Sequence, residues 1–403
     1  MRDSFDILIV GGGLVGASLA IALDGAGLCV ALAEAAPPRV DLQPSYDERN
    51  LALARASVNA LEALGVLDER TPAEPIRRIH VSRRGDFGAV RLDADALGLP
   101  AFGAVLPARE LGNALLARLD RCRDLERIAP ARAVAIEAGA ENVRIDLRVG
   151  ETDRAVRARL LVGADGTASF VRGALDIGTH AHDYAQSAFV TTLSLDKPLD
   201  GLAYERFTDS GPVALLPLGG RRAGLVLTVP SEEAARVAAL DDAGFLAFVH
   251  ARFGYRAGRF SRPGRRTPYP LARTLAERTI APRSVLVGNA AQTVHPVGAQ
   301  GFNLGLRDAL TLAELLRETQ AAHGDPGDAA LLARHAERRA PDRDATTAFS
   351  DDLVRLMGND SLPMRALRSL GWHALERIAP AKRRFALRGM GFRGDVAELG
   401  LRR

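Results

Sequence analysis

The feature that most constrains this chain is a strand–turn–helix–strand unit in its first 34 residues. The apolar run at residues 5–10 (FDILIV) predicts a buried strand. It is followed by Gly11-Gly12-Gly13-Leu14-Val15-Gly16, a helical stretch from Leu14 to Ala26, a second apolar run from Leu28 to Ala33, and Glu34. Gly11 permits a tight turn, Gly13 lets backbone approach a pyrophosphate, and Gly16 lets the helix pack on the strand. The helix start at Leu14 and Val15 offers unpaired N–H groups and partial positive charge to phosphates. Glu34 closes the unit where a carboxylate accepts hydrogen bonds from ribose hydroxyls. The unit predicts a bound dinucleotide and leaves its identity open.

Two later segments repeat the theme. Leu160–Val162 is an apolar strand running into Gly163-Ala164-Asp165-Gly166-Thr167, which alone is an ordinary loop. Ser284–Val287 is another strand. It leads into Gly288-Asn289-Ala290-Ala291-Gln292-Thr293-Val294-His295-Pro296-Val297-Gly298-Ala299-Gln300-Gly301-Phe302-Asn303-Leu304-Gly305, and a helix is expected from Leu304 to Glu318. A glycine-rich loop emptying into a helix start holds negative charge.

In this order the three segments resemble the group A flavoprotein monooxygenases, which have the para-hydroxybenzoate hydroxylase fold. The resemblance implies an α/β protein with a Rossmann-like FAD-binding lobe, a discontinuous mixed-sheet substrate lobe and a helical C-terminus. It implies FAD as cofactor, NADH or NADPH as reductant and O₂ as co-substrate, with aromatic hydroxylation through a flavin C4a-hydroperoxide. It places Gly11, Gly13, Gly16 and Glu34 at the ADP end of FAD. Asp165 and Gly166 fall beside the pyrophosphate, and Gly288 and Asn289 at the ribityl chain. Pro296, Gly298, Gln300, Gly301, Phe302 and Asn303 surround the isoalloxazine. Arg49 matches the arginine near the flavin ring, and Arg109 the one beside the FAD phosphates and ribose.

Asn289 departs from the aspartate most of that family carries, and Gln292 from its histidine. A neutral acceptor forfeits charge assistance, so FAD affinity is expected to be lower by ~1 kcal/mol. The block from Gly288 to Asp308 resembles the ubiquinone-pathway hydroxylases, closest to the 2-polyprenyl-6-methoxyphenol hydroxylase branch. Tyr46-Asp47-Glu48-Arg49-Asn50-Leu51-Ala52-Leu53-Ala54 and Gly391-Phe392-Arg393-Gly394-Asp395 resemble it too. The implied substrate is a polyprenylated phenol. The alternatives are a hydroxylase of another phenolic metabolite, or a non-catalytic flavoprotein scaffold in a quinone-biosynthesis complex. A halogenase on the same scaffold would carry two tryptophans in its motif, and this chain has only Trp372.

The expected division puts residues 1–75, 103–180 and 268–341 in the FAD lobe, 76–102 and 181–267 in the substrate lobe, and 342–403 in the helical C-terminus. Alternation at Ile79-His80-Val81-Ser82, and the apolar runs Phe189–Leu195, Val213–Leu218 and Ala223–Val229, predict the substrate sheet. Hydroxylation is helped by a base within reach of the phenol. His295 and His80 are the candidate histidines, each with a satisfied structural histidine as the alternative, and Arg49, His295 and Pro296 form the expected catalytic set. No metal site is expected.

Charge and composition narrow the setting. No apolar run approaches the ~20 residues of a membrane span, the opening lacks the pattern of an export signal, and Cys29 and Cys122 make no disulfide framework. A cytoplasmic protein is expected. The net charge is +4, yet from Ser361 onward ten basic residues face three acidic ones. Met364, Leu367, Gly371, Leu375 and Ile378 recur at helical spacing, with Arg365 and Arg368 off that stripe. A basic amphipathic end predicts docking on an anionic membrane surface, at the inner face of the plasma membrane, or on a quinone-biosynthesis complex. The same end packed on the FAD lobe with its arginines in water is the plainer expectation. No nucleic acid is implied, and the oligomeric state is left open.

Overall fold

The computed structural model describes residues 2–37, 49–392 and 397. Its first sheet has the parallel strands Ser284–Leu286, Thr152–Gly163, Ser4–Val10, Val30–Ala33 and Leu125–Ile128 side by side. Strands Val143–Val149 and Arg132–Ala138 add antiparallel along the first half of Thr152–Gly163. Ile7, Leu8 and Ile9 are fully buried, as expected for a parallel strand covered on both faces.

Glycines set how closely the layers approach. Gly11 has φ +105°, and a Cβ there would lie 2.5 Å from the Ala164 carbonyl oxygen. A Cβ on Gly16 would lie 1.9 Å from the Gly11 carbonyl oxygen, so the helix Leu14–Ala22 sits directly on the turn before it. That helix is shorter than expected and gives way to a turn containing Gly25 at φ +70°. The last expected helix begins earlier, spanning Gln300–Ala321.

The second sheet runs Thr267–Ala276, Thr179–Leu195, Arg222–Pro230, Gly211–Pro217, Leu202–Thr208, Arg78–Arg83 and Ala89–Asp93. Strand alternation gives it two unlike faces. Phe189, Leu193, Val213, Leu215, Leu225 and Leu227 pack against Phe245, Val249 and Phe253 of the helix Asp242–Phe253. Ala188, Val190, Ala214, Leu216 and Val226 face the opposite way, into a cavity. Thr267–Ala276 pairs along Thr179–Leu195, so this sheet reaches past the expected boundary at 267. The strand sits near the sheet edge, where Pro268 and Pro270 are tolerated. A small sheet of Asn50–Ala54, Gly103–Pro107 and Glu74–Pro75 lies between the two lobes in sequence.

The helix Ala329–Gly358 is followed by Leu362–Arg377 and Ala379–Gly389. The expected stripe on Leu362–Arg377 is split. Met364 and Leu375 are half-buried and line a cavity, whereas Leu367 is 61% exposed and Ile378 52%, and the buried side chains of this helix are Arg368 and Trp372. Arg368 Nε donates to Asp86 Oδ2 at 2.7 Å and its Nη1 to the Leu356 carbonyl at 2.9 Å. Asp86 in turn meets the fully buried Arg83, whose Nε donates to the Met357 carbonyl at 2.8 Å. An arginine placed in water by periodicity is therefore the pin that fastens this helix to the second sheet.

Candidate active site

One cavity of about 2340 Å³ runs between the two large sheets. Ligand pockets usually hold ~300–1,000 Å³, so this volume suits a dinucleotide and a second ligand together. Gly11, Gly13, Leu14, Val15, Glu34, Arg49, Asp165, Gly166, Asn289, Pro296, Gly298, Gln300, Gly301, Phe302 and Asn303 all line it. Residues from all three glycine-rich segments, far apart in sequence, thus share one cavity.

Local geometry explains several of these positions. Glu34 accepts from the Gly12 amide at 2.6 Å and the Ala36 amide at 2.7 Å, which fixes its carboxylate at the mouth of the first turn. Asp165 accepts from Ser169 Oγ and from the Val171 amide at 3.0 Å, so it holds the loop before the helix Phe170–Ala174. The helices Leu14–Ala22 and Gln300–Ala321 both start at the cavity with no side-chain cap. Their first N–H groups are free to meet negative charge there.

Asn303 ties the third loop to the strand Asn50–Ala54, which Arg49 immediately precedes. Its Oδ1 accepts from the Ala54 amide at 2.8 Å, and its Nδ2 donates to the carbonyls of Ala52 at 2.9 Å and Ala299 at 2.7 Å. Gly288 and Gly16 act in packing and do not line the cavity. Arg109 lies in the first turn of the helix Ala108–Leu119, away from the cavity wall, with a half-exposed side chain. Tyr46, Asp47, Glu48, Arg393, Gly394 and Asp395 fall outside the described residues.

His295 and His80 are not brought to the cavity. His295 is 1% exposed. Its Nδ1 accepts from the Val297 amide at 3.1 Å, its Nε2 lies 3.3 Å from Gln186 Oε1, and its ring stands edge-on to Tyr184. Burial lowers its pKa to about 4, against the pull of Asp351. It is a neutral ring that shapes the loop before Pro296. His80 lies on the helix-covered face of the second sheet, beside Tyr204 at 5.5 Å, and burial together with Arg256 and Arg91 lowers its pKa.

Two features, at Asn50 and Asp308, escaped the sequence reading. Asn50 is 8% exposed and lines the cavity, yet neither Oδ1 nor Nδ2 has a hydrogen-bond partner. Leaving a buried amide unpaired costs ~1–3 kcal/mol, a cost that a polar ligand edge in the cavity removes. Asn289 is exposed to the same space and makes no hydrogen bond among the described residues. The two orphan amides, the two uncapped helix starts and the volume together fit FAD. The second missed feature is Asp308, which receives the Gly288 amide at 3.3 Å and the Gln292 amide side chain. Gln292, at the position of the family's histidine, thereby clamps the Gly288–Gln292 turn to the following helix.

Comparison with known proteins identifies the family. A family described as FAD binding domain matches residues 4–349. The chain belongs to that family. It is 39% identical to a ubiquinone hydroxylase, UbiL, of Rhodospirillum rubrum over 388 residues, covering 96% of this chain and 89% of the relative. It is 32% identical to the 3-demethoxyubiquinol 3-hydroxylase of Escherichia coli, covering 94% and 96%. Among solved structures, p-nitrophenol 4-monooxygenase PnpA of Pseudomonas putida superposes with a TM-score of 0.80 at 19% identity, over 98% of this chain and 99% of that one. This last likeness establishes the shared fold. The chain is a flavoprotein of the α/β architecture expected, with a helical C-terminus.

Proposed function

We propose that this protein is an NAD(P)H- and O₂-dependent hydroxylase of a polyprenylated phenol in ubiquinone biosynthesis. The observation that carries this reading is the apolar part of the cavity's lining. Besides the loop at Pro296–Asn303 it includes an apolar cluster of Phe102, Leu353, Met357, Trp372, Phe385 and Met390, mostly from the C-terminal helices. A ring held by the loop would have a dry path for a long hydrocarbon tail, and each buried CH₂ contributes ~0.8 kcal/mol. The names of the relatives point to the same substrate class.

FAD, when bound, supplies the activation of O₂. Its ADP end would be held by Gly11, Gly13, Leu14, Val15 and Glu34, its middle by Asp165, Gly166 and Asn289, and its ring end by Arg49, Asn50 and the residues from Pro296 to Phe302. The chain's own work is to bind, orient and keep water out. Arg49 brings positive charge to the ring end, and Pro296 shapes the turn before the helix Gln300–Ala321. The apolar face of the second sheet excludes water from the reacting ring.

The outer face of the C-terminal helices supports delivery of substrate from an anionic bilayer. Leu362, Leu367 and Leu370 stand in solvent at 77%, 61% and 68% exposure, and Arg377, Arg383 and Arg384 are exposed nearby. No helix among the described residues is long and apolar enough to cross a membrane. Apolar side chains ringed by cations suit a surface contact.

Extraction of quinone intermediates from a strain lacking this gene tests the reading. Accumulation of a prenylated phenol one hydroxyl short of the next intermediate is expected. An unchanged intermediate profile and ubiquinone level would overturn it.

A further inference from the structure

The cavity face of the second sheet carries one carboxylate, Glu205, on the strand Leu202–Thr208. Its strand neighbours on that face are Ala203 and Phe207, and its cross-strand partners are Ala214 and Val81. Val226 lies beyond Ala214. All are apolar, and all line the same cavity. Glu205 has no hydrogen-bond or ion-pair partner among the described residues, unlike Glu34 and Asp165, whose carboxylates are held by backbone amides. An unpaired carboxylate on an apolar wall is costly for folding, and Glu205 lines the cavity that would hold cofactor and substrate.

We propose that Glu205 accepts the hydrogen bond of the substrate's phenol O–H and takes its proton as the ring is oxygenated. This rests on the phenol-hydroxylase reading above and supplies the base that neither histidine provides. In the step, the phenol O–H bond breaks and its electron pair stays on oxygen, raising electron density at the ortho and para carbons. The proton forms the O–H bond of the Glu205 carboxyl. After oxygen joins the ring carbon, that carbon's C–H bond breaks and its proton leaves to solvent as the ring regains aromaticity, while the Glu205 proton returns to the phenol oxygen, so the carboxylate is restored each turnover.

Burial alone raises the Glu205 pKa from 4.5 to about 7. An ordinary glutamate is too weak a base for a phenol, whose pKa is ~10. The raised value brings donor and acceptor closer while leaving a working fraction ionised at neutral pH. Other ionisable groups face the cavity. Asp342, Asp352 and Arg355 come from the helix Ala329–Gly358, which packs on this strand, and Arg384 from the last helix. Glu34, Arg49, Arg132 and Asp165 belong to the cofactor side, and the phenols are Tyr204 and Tyr269. None of them makes a hydrogen bond or ion pair with Glu205 among the described residues.

The test uses the oxidised holoenzyme without reductant, titrated with 2-methoxyphenol and with its methyl ether, 1,2-dimethoxybenzene, the flavin absorbance reporting binding. Affinity for the phenol is expected to rise about fivefold between about pH 6 and about pH 8, as the carboxyl ionises and the hydrogen bond gains charge assistance. The ether, which has no proton to donate, is expected to show a flat profile. Glu205→Gln should flatten the profile for the phenol, retain FAD, and lower kcat about a hundredfold with a small change in KM. Glu205→Asp should restore the pH dependence of binding. An unaltered pH profile in Glu205→Gln overturns the role of Glu205 and leaves the hydroxylase reading standing. A wild-type holoenzyme that binds neither compound overturns both.

Discussion

Removing Arg339 should show how strongly the cofactor loop depends on charge buried behind it. Arg339 Nε donates to Asp308 Oδ1 at 2.8 Å and its Nη2 to Asp342 Oδ2 at 2.5 Å, while Arg307 Nε donates to Asp342 Oδ2 at 2.7 Å. All four residues are 4% exposed or less. Two cations and two anions balance, so Arg339→Leu leaves a net negative charge in a dry interior. Breaking such a cluster from one side costs ~3–5 kcal/mol. In urea denaturation of the apoprotein the midpoint should fall by roughly 1 M. The double variant Arg339→Leu/Asp342→Leu removes opposite charges, and its cost should undershoot the sum of the singles by at least ~1 kcal/mol. FAD should also bind more weakly to Arg339→Leu, because Asp308 holds the Gly288 amide and Gln292. A pH series gives an independent check. Burial alone would raise the Asp342 pKa, but Arg307 and Arg339 outweigh it and hold it below its usual value. Its contribution to stability is therefore present above the unfolded carboxyl's ~3.9 and lost as pH falls through the lower folded value. A single variant within ~1 kcal/mol of wild type, or strictly additive costs in the double, would refute this account.

Two further outcomes follow from single residues. Asn289→Asp should hold FAD several-fold more tightly by equilibrium dialysis, since a charged acceptor replaces a neutral one of the same shape; weaker binding would show that the amide is used as a donor. Arg368→Ala should free the helix Leu362–Arg377, seen as faster proteolysis between residues 358 and 362, because it removes the side chain that binds both Asp86 and the Leu356 carbonyl; unchanged protease resistance would mean that Arg368 is not what holds the helix.

How much of this could be read from the chain depended on how local the cause was. The turn at Gly11–Gly16 was legible because its glycines answer contacts made within the unit and with Ala164, a neighbour dictated by strand pairing. That Arg49 and the loop at Pro296–Asn303 line one cavity accords with the family resemblance, and the hydrogen bonds of Asn303 to Ala52 and Ala54 tie that loop to the neighbouring strand Asn50–Ala54. Glu205 was not legible. A glutamate in a strand reads as a solvent-facing residue, and only the register with Ala214 and Val81 puts it on the cavity side. Arg368 misled for a related reason. Periodicity finds a helix but does not name the face that meets a partner, and here the partner is an aspartate 282 residues away.

The most direct test of the central claim is the fate of oxygen. Purified holoenzyme, a short-chain methoxyphenol and NAD(P)H are incubated under ¹⁸O₂, and the product is analysed by mass spectrometry. One ¹⁸O atom in a new ring hydroxyl, formed in step with NAD(P)H consumption, is the result this account predicts. Consumption of NAD(P)H and oxygen that yields only hydrogen peroxide, with the phenol and a prenylated counterpart both unchanged, would contradict it.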